Sequence, residues 1–268
     1  MTAPLFRQDG DLYTPTDLAH GPWARGFLHG GPVCGLAAHA AEQAQPQPDL
    51  RPARLVVDIH RAVPAEPLEV SSVCERSARR MALVNVTVRA SGREVTRASA
   101  LFLKPTDATP NPPTGRVISR LEGPAGLPTT PMIPPEAVDL VPPGFHRHVE
   151  VRWAPRDEME PPAAWFRMPM PLLTESPTSP FVRAATLSDL GNAVAGLARR
   201  AAKQDSIAYI NPDTTLYLHR VPQGEWLGLE LDTAGEADGI GLSHIRLHDS
   251  EGPFGHTLSA RLFNPITR

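Results

Sequence analysis

The sequence predicts an α+β protein made of two similar units, each a single helix followed by an antiparallel meander. Three observations predict it. Offsetting the chain against itself by 160 residues sets His29-Gly30-Gly31 on Asp189-Leu190-Gly191, Gly92 on Gly252 and Ser99-Ala100 on Ser259-Ala260. At an offset of 159, His60-Arg61 with Glu66 is echoed by His219-Arg220 with Glu225. Each half then carries one helical stretch and four strand-like runs. Prolines crowd the stretch between the halves, where a repeat needs a boundary.

In the first half an early strand is expected near Leu12-Tyr13. Gly30 to Gln43 follows as a slim alanine-rich helix, with Val33, Leu36, Ala37, Ala40 and Ala41 at helical spacing and Pro46 and Pro48 ending it. The strands are Arg54–Arg61, Leu68–Glu75, Leu83–Arg89 and Val95–Leu103, with Ser91-Gly92 as the turn before the last. From Pro105 to Pro143 the chain cannot form a sheet centre or a long helix, because proline removes backbone donors and restricts its predecessor. It reads as an extended linker, with Ile118, Leu121 and Leu127 pinning it to a domain surface. The second half opens with a strand near Val149–Trp153 or Trp165–Met168, then a helix over Asp189–Arg200. Its strands are Thr214–His219, Trp226–Asp232, Leu242–His248 and Gly255–Phe263, with Glu251-Gly252 as the matching turn.

These landmarks carry a family resemblance. Gly21-Pro22-Trp23 before His29-Gly30-Gly31-Pro32, then Ser188-Asp189-Leu190-Gly191-Asn192, Asn211-Pro212-Asp213, His219-Arg220 and Gly224-Glu225-Trp226 resemble the double-hotdog, type II acyl-CoA thioesterases over nearly the whole chain. The resemblance implies a tandem hotdog, two antiparallel sheets each wrapped on a central helix. The domains would be 1-104 and 145-268, joined by a linker over 105-144. It also implies an acyl-CoA substrate lying between the units near the N-terminal ends of the helices, and no cofactor.

Hydrolysing a thioester needs a polarised carbonyl, a placed water and a base for that water. Unpaired N–H groups at a helix start can hold the developing oxyanion, and Gly30-Gly31 would let such a backbone approach a ligand closely. Asp189, read as opening the second helix, is the candidate general base; taken alone, an aspartate there is also a good helix cap. By resemblance it matches the family's catalytic carboxylate. Asn211 then stands at the family's hydroxyl or amide position. Ser259 stands where the final strand carries a glutamine, so the departure puts full turnover in doubt. His29, the repeat partner of Asp189, reads as a turn histidine bonding the backbone, with a catalytic base or a substrate-side group as the alternatives. Arg79 and Arg80 read either as ligands for CoA phosphates or as a solvated hairpin edge. The two His-Arg pairs read as structural partners of nearby carboxylates, and Trp23 and Trp226 as tunnel wall or core.

Composition narrows the alternatives. A net charge of -3 and a pI near 6.4 give no basic field for nucleic acid. Neither an apolar leader nor a spanning run is expected, which points to a cytoplasmic protein without membrane insertion. Cys34 and Cys74 lack metal-ligand spacing, and Cys34 reads as a buried hydrophobe. No Gly-x-Ser-x-Gly favours a serine hydrolase, and the Asp189 segment has no histidine for hydratase chemistry. A non-catalytic acyl-CoA sensor is the rival reading. Exposed sheet edges make a homo-oligomer an expectation.

Overall fold

A computed structural model describes residues 3–107, 121–157, 159–174, 176–203, 209–235 and 237–264. The first half runs β1 (Phe6–Asp9), β2 (Leu12–Pro15), α1 (Gly30–Ala44), β3 (Arg51–Ile59), β4 (Leu68–Ala78), β5 (Met81–Ala90) and β6 (Arg93–Leu103). The second runs α2 (Phe145–His148), β7 (Glu150–Ala154), β8 (Ala163–Arg167), α3 (Pro180–Ser188) and α4 (Gly191–Ala201). It continues through β9 (Tyr209–Ile210), β10 (Asp213–Leu218), β11 (Trp226–Gly235), β12 (Ile240–Asp249) and β13 (Gly252–Phe263).

Alternation makes these strands. In β5, Ala82, Val84, Val86, Val88 and Ala90 are buried while the residues between them are half exposed, the pattern of a strand with one face on a core. Ser91 and Gly92 both take positive φ (48° and 75°), so the β5–β6 turn has the primed geometry that matches strand twist. Gly252, at φ 112°, stands at the equivalent turn into β13.

The expectation of two sheets is corrected. Among the described residues a single 13-stranded sheet runs β1-β2-β4-β5-β6-β3-β10-β13-β12-β11-β8-β7, with β9 added beside β13. The seam is an antiparallel pairing of β3 with β10, from Asp58 opposite Asp213 to Arg54 opposite Tyr217. Its physical reason is that each half alone would leave one of these strands as an unpaired edge, and joining them satisfies both rows of backbone groups. Read outward from the seam, the first half is β3-β6-β5-β4-β2 and the second β10-β13-β12-β11-β8. At the far ends a bridge between Phe6 and Leu173 ties the first strand to the chain leaving β8.

The core lies between this sheet and the helices. α1 packs on β4 and β5 and, along its other side, on α3. That helix contact is close because its residues are small: a Cβ on Gly31 would lie 2.5 Å from the Thr186 carbonyl oxygen, and one on Gly35 would collide with the Thr186 side chain. The sequence reading missed α3, and the helix it expected over Asp189–Arg200 is α4 (Gly191–Ala201). The start of α3 is written in Ser179-Pro180, where the Ser179 hydroxyl accepts from the Val182 N–H and proline takes the first helical position.

Part of the proline-rich segment is described. Leu121 and Leu127 pack with Trp165 and Trp226 against β7 and β8, and Trp165 donates its indole N–H to the Glu122 carbonyl at 2.7 Å. The expectation for Ile118 lies outside the described residues.

Candidate active site

Where α3 ends and α4 begins, the backbone breaks for two residues, and Asp189 sits in the break. It does not cap the second helix, as the sequence suggested. It is the C-cap residue of α3, and α4 begins after Leu190 without a side-chain cap. Its carboxylate is instead held by side chains. Asn211, in the loop between β9 and β10, donates Nδ2–H to Asp189 Oδ1 at 2.6 Å. Asp189 Oδ2 lies 3.2 Å from His29 Nδ1, with the two side chains only 5% and 12% exposed.

His29 comes from the other half of the chain. It is the N-cap of α1, its Nδ1 accepting from the Gly31 N–H at 3.0 Å. Gly30 allows the two halves to meet here, since a Cβ on it would lie 2.7 Å from Asp189 Oδ2. Gly31 has a different part from the one expected. It is buried against the Thr186 carbonyl and the Phe145 ring, so its missing side chain serves helix packing and not approach by a ligand.

Behind the carboxylate the polar contacts continue. Asn192, on the first turn of α4, donates Nδ2–H to the Asn211 side-chain oxygen at 3.2 Å and to the Tyr209 carbonyl at 3.0 Å. Asn211 also reaches the Thr214 hydroxyl at 3.4 Å, and Thr214 in turn lies 3.4 Å from the Ser259 hydroxyl. Asn192 and Thr214 escaped the sequence reading. The Asp189/Asn192 spacing of three, which stacks side chains over one helical turn, was the available signal for Asn192. A small pocket of about 10 Å³ is lined by Asp189, Asn192, Asn211, Ser243 and Ser259, among others. That is about the size of one water, and Asn192 Oδ1 is buried beside it without a partner.

In front of Asp189 opens a mainly apolar cavity of about 630 Å³. Its walls come from both halves: Trp23, Phe27 and Val63 on one side, Leu190, Gly196 and Ile210 on the other. The proline-rich segment contributes Met132 and Ile133, so it builds wall as well as spanning between halves. His146 also lines it. Burial first, and then the neighbouring His29, push its pKa down to about 4, which keeps it neutral at physiological pH. On the first turns of α1, burial and then Asp189 raise the Cys34 thiol well above its usual range. Cys34 is therefore a protonated hydrophobe and no nucleophile.

Other residues singled out from sequence are not brought to this cavity. Arg79 and Arg80 form the exposed β4–β5 turn. Gln47, just past the end of α1, donates to Ser77 Oγ and the Ala78 carbonyl, which places that turn about one helix length, roughly 22 Å, from His29. Trp226 packs outside, under the guanidinium of Arg152 at 4.6 Å. Both His-Arg pairs meet carboxylates, Arg220 gripping the buried Asp249 through two nitrogens and His60 Nδ1 lying 3.4 Å from Glu94, and His60 and Arg61 also line the cavity. Among the described residues no group of three or more His, Cys, Asp or Glu could hold a metal ion, and no helix is long and apolar enough to cross a membrane.

One antiparallel sheet with few helices, and a cavity walled by both halves, fits a double hotdog. The solved hot dog fold protein of Alicyclobacillus acidocaldarius is similar to 98% of this chain, over 96% of its own, with a TM-score of 0.71 and 18% identity. Acyl-CoA thioesterase II TesB2 from Mycobacterium marinum matches 98% of this chain and 96% of its own, with a TM-score of 0.65 and 16% identity. The tesB protein of Mycobacterium avium subs paratuberculosis matches 97% and 96%, with a TM-score of 0.67 and 17% identity. No curated protein matches the sequence. Family models match twice, the acyl-CoA thioesterase N-terminal domain over residues 19–103 and the acyl-CoA thioesterase C-terminal domain over residues 124–257. The chain belongs to the acyl-CoA thioesterase family.

Proposed function

We propose that the protein hydrolyses an acyl-CoA thioester to free acid and CoA, with Asp189 drawing the proton from the attacking water. The observation that carries this is the setting of the Asp189 carboxylate: nearly buried, on the wall of an apolar cavity, held by Asn211 and facing the start of α1. The acyl chain takes the apolar cavity, and the thioester carbonyl points at Gly30. The N–H of Gly30 belongs to the first turn of α1, where the helix supplies no acceptor, so it is the donor offered to the oxyanion. Gly31 is not, because its N–H is bonded to His29.

On the far side of Asp189, one water in the small pocket would satisfy Asn192 Oδ1 and link Ser259 to the carboxylate. Ser259 and this water together would fill the place of the family's longer amide, at a cost in turnover. Residues 1-104 and 145-268 are on this reading duplicated units joined by 105-144, which the mirrored strand order supports.

The test is free-thiol release from acyl-CoAs of several chain lengths beside direct binding titrations. Asp189→Asn is nearly isosteric and is expected to keep fold and binding while losing 10²- to 10⁴-fold in turnover, the contribution of a positioned base. Equal turnover by wild type and variant removes the mechanism. One observation favours the sensor reading: Ser259 reaches Thr214 and does not line the main cavity. Tight binding with no turnover in the wild type would establish it.

A further inference from the structure

His29 Nδ1 stands between two groups that make opposite demands on it. The Gly31 N–H donates to it at 3.0 Å, which requires a bare lone pair. Asp189 Oδ2 lies 3.2 Å from the same atom, and that contact attracts only when a proton lies between them. One ring nitrogen can meet only one demand at a time. The other carboxylate oxygen, Oδ1, is held by Asn211.

We propose that His29 is the proton partner of Asp189, so that the cavity wall gains a positive charge in the step that creates the oxyanion. In the resting site Nδ1 is bare, His29 is neutral with its proton on Nε2, and Asp189 is charged. Asp189 takes a proton from water through Oδ2 and passes it to Nδ1 as the water oxygen bonds to the thioester carbon and the carbonyl π pair moves to oxygen. His29 is then an imidazolium on the cavity wall. The Gly31 N–H, deprived of its acceptor, leaves the N-terminal field of α1 uncompensated next to Gly30. When the tetrahedral intermediate collapses, the carbon–sulfur bond breaks and the thiolate takes that proton back through Asp189. Water and thioester thus become acid and thiol with no proton gained or lost. The proposal rests on Asp189 being the base.

The groups around His29 suit this part. From α2, His146 is held neutral, its pKa lowered to about 4, and Phe145 covers the His29 ring at 5.1 Å between centroids. From α1, Cys34 stays a neutral thiol. His60 and Arg61 stand elsewhere on the cavity wall, and Arg147 and His148 bear on His146 from α2. Asp189 is therefore the anion in direct contact with Nδ1.

The experiment compares wild type, His29→Asn, His29→Ser and Asp189→Asn in thiol release from an acyl-CoA panel across pH, with thermal melting of each. Asparagine and serine both cap helices, so the structural service to Gly31 survives in either. The expected result for both His29 variants is a melting temperature within a few degrees of wild type, an unchanged KM and a kcat lowered by roughly 10²-fold. The pH profile of kcat/KM should also change, since one member of the proton-sharing pair is gone. A kcat at the wild-type level in either folded variant overturns the proposal, and so does a lowered kcat with the wild-type pH profile, which would make His29 a cap alone. With Asp189→Asn inactive, these outcomes leave the base intact and remove only the proton partner. Full turnover by Asp189→Asn would remove both.

Discussion

Gly31 shows how a residue's surroundings can reverse an expectation. A valine there would drive its Cβ into the Thr186 carbonyl oxygen and the Phe145 ring, neither of which is the flexible end of a side chain. Gly31→Val is therefore expected to lower stability by about 1–3 kcal/mol or more, read as a fall in the thermal midpoint, with turnover per folded molecule affected less. Asn211→Ala should leave the fold intact and lower turnover less than Asp189→Asn does, since it removes a partner of the base and not the base; thiol release against melting temperature would check both. The residue types of this site were legible in the sequence: the repeat matched His29 with Asp189 and the family resemblance added Asn211, and the fold brings His29 and Asn211 within hydrogen-bonding distance of the Asp189 carboxylate. Which glycine meets the carboxylate and which meets a helix was not, because adjacent glycines are alike in sequence and differ only in what lies above them.

At the scale of elements, strands were the most legible because one-sided burial writes itself as alternation, as in β5. The short α3 was not, because its nine residues, Pro180–Ser188, are too few for a helical period to stand out, whereas α4 lies where a helix was expected. Loops are held by specific polar clips. After β10, the buried Asp249 accepts from both nitrogens of Arg220, from the Gln223 N–H at 2.7 Å and from the Glu251 N–H at 2.8 Å. Burial opposes ionisation of Asp249, but Arg220 and these N–H groups outweigh it and hold its pKa below the usual carboxylate value. A depressed native pKa contributes stability that is present above the unfolded value, near 3.9, and is lost as pH falls through the native one. Arg220→Ala is expected to destabilise the protein at pH 7 and to flatten the part of its acid unfolding below about pH 4 that Asp249 supplies. Melting curves from pH 7 to pH 2 would show an unchanged acid slope if the clip were idle.

The whole molecule depends on the seam, and the seam carries a flaw. Asp58 and Asp213 stand opposite each other across β3 and β10. Burial first, and then Asp58, raise the Asp213 pKa, although the Ala260 N–H donated to it at 2.8 Å works the other way. A raised acid pKa means that the native state binds its proton more tightly than the unfolded chain, so the penalty is felt above the native pKa and eases as pH falls through it. Asp58→Asn should remove the facing charge and stabilise the chain at pH 7 by about 0.2–1 kcal/mol, with little gain near pH 3. Equal gains at both pH values would mean that charge is not the cause.

The seam also sets an order of events during synthesis. β3 emerges from the ribosome long before β10, which follows roughly 150 residues later, about 10–30 s at ordinary elongation rates. Throughout that interval the first half carries an unpaired strand edge along Arg54–Asp58, open to any extended segment of a neighbouring nascent chain. Arg54 and Asp58 punctuate that edge with charge and so guard it. Ribosomes crowded on one message would bring several such edges close together, and fast translation that shortens the wait for β10 would favour soluble protein over aggregate.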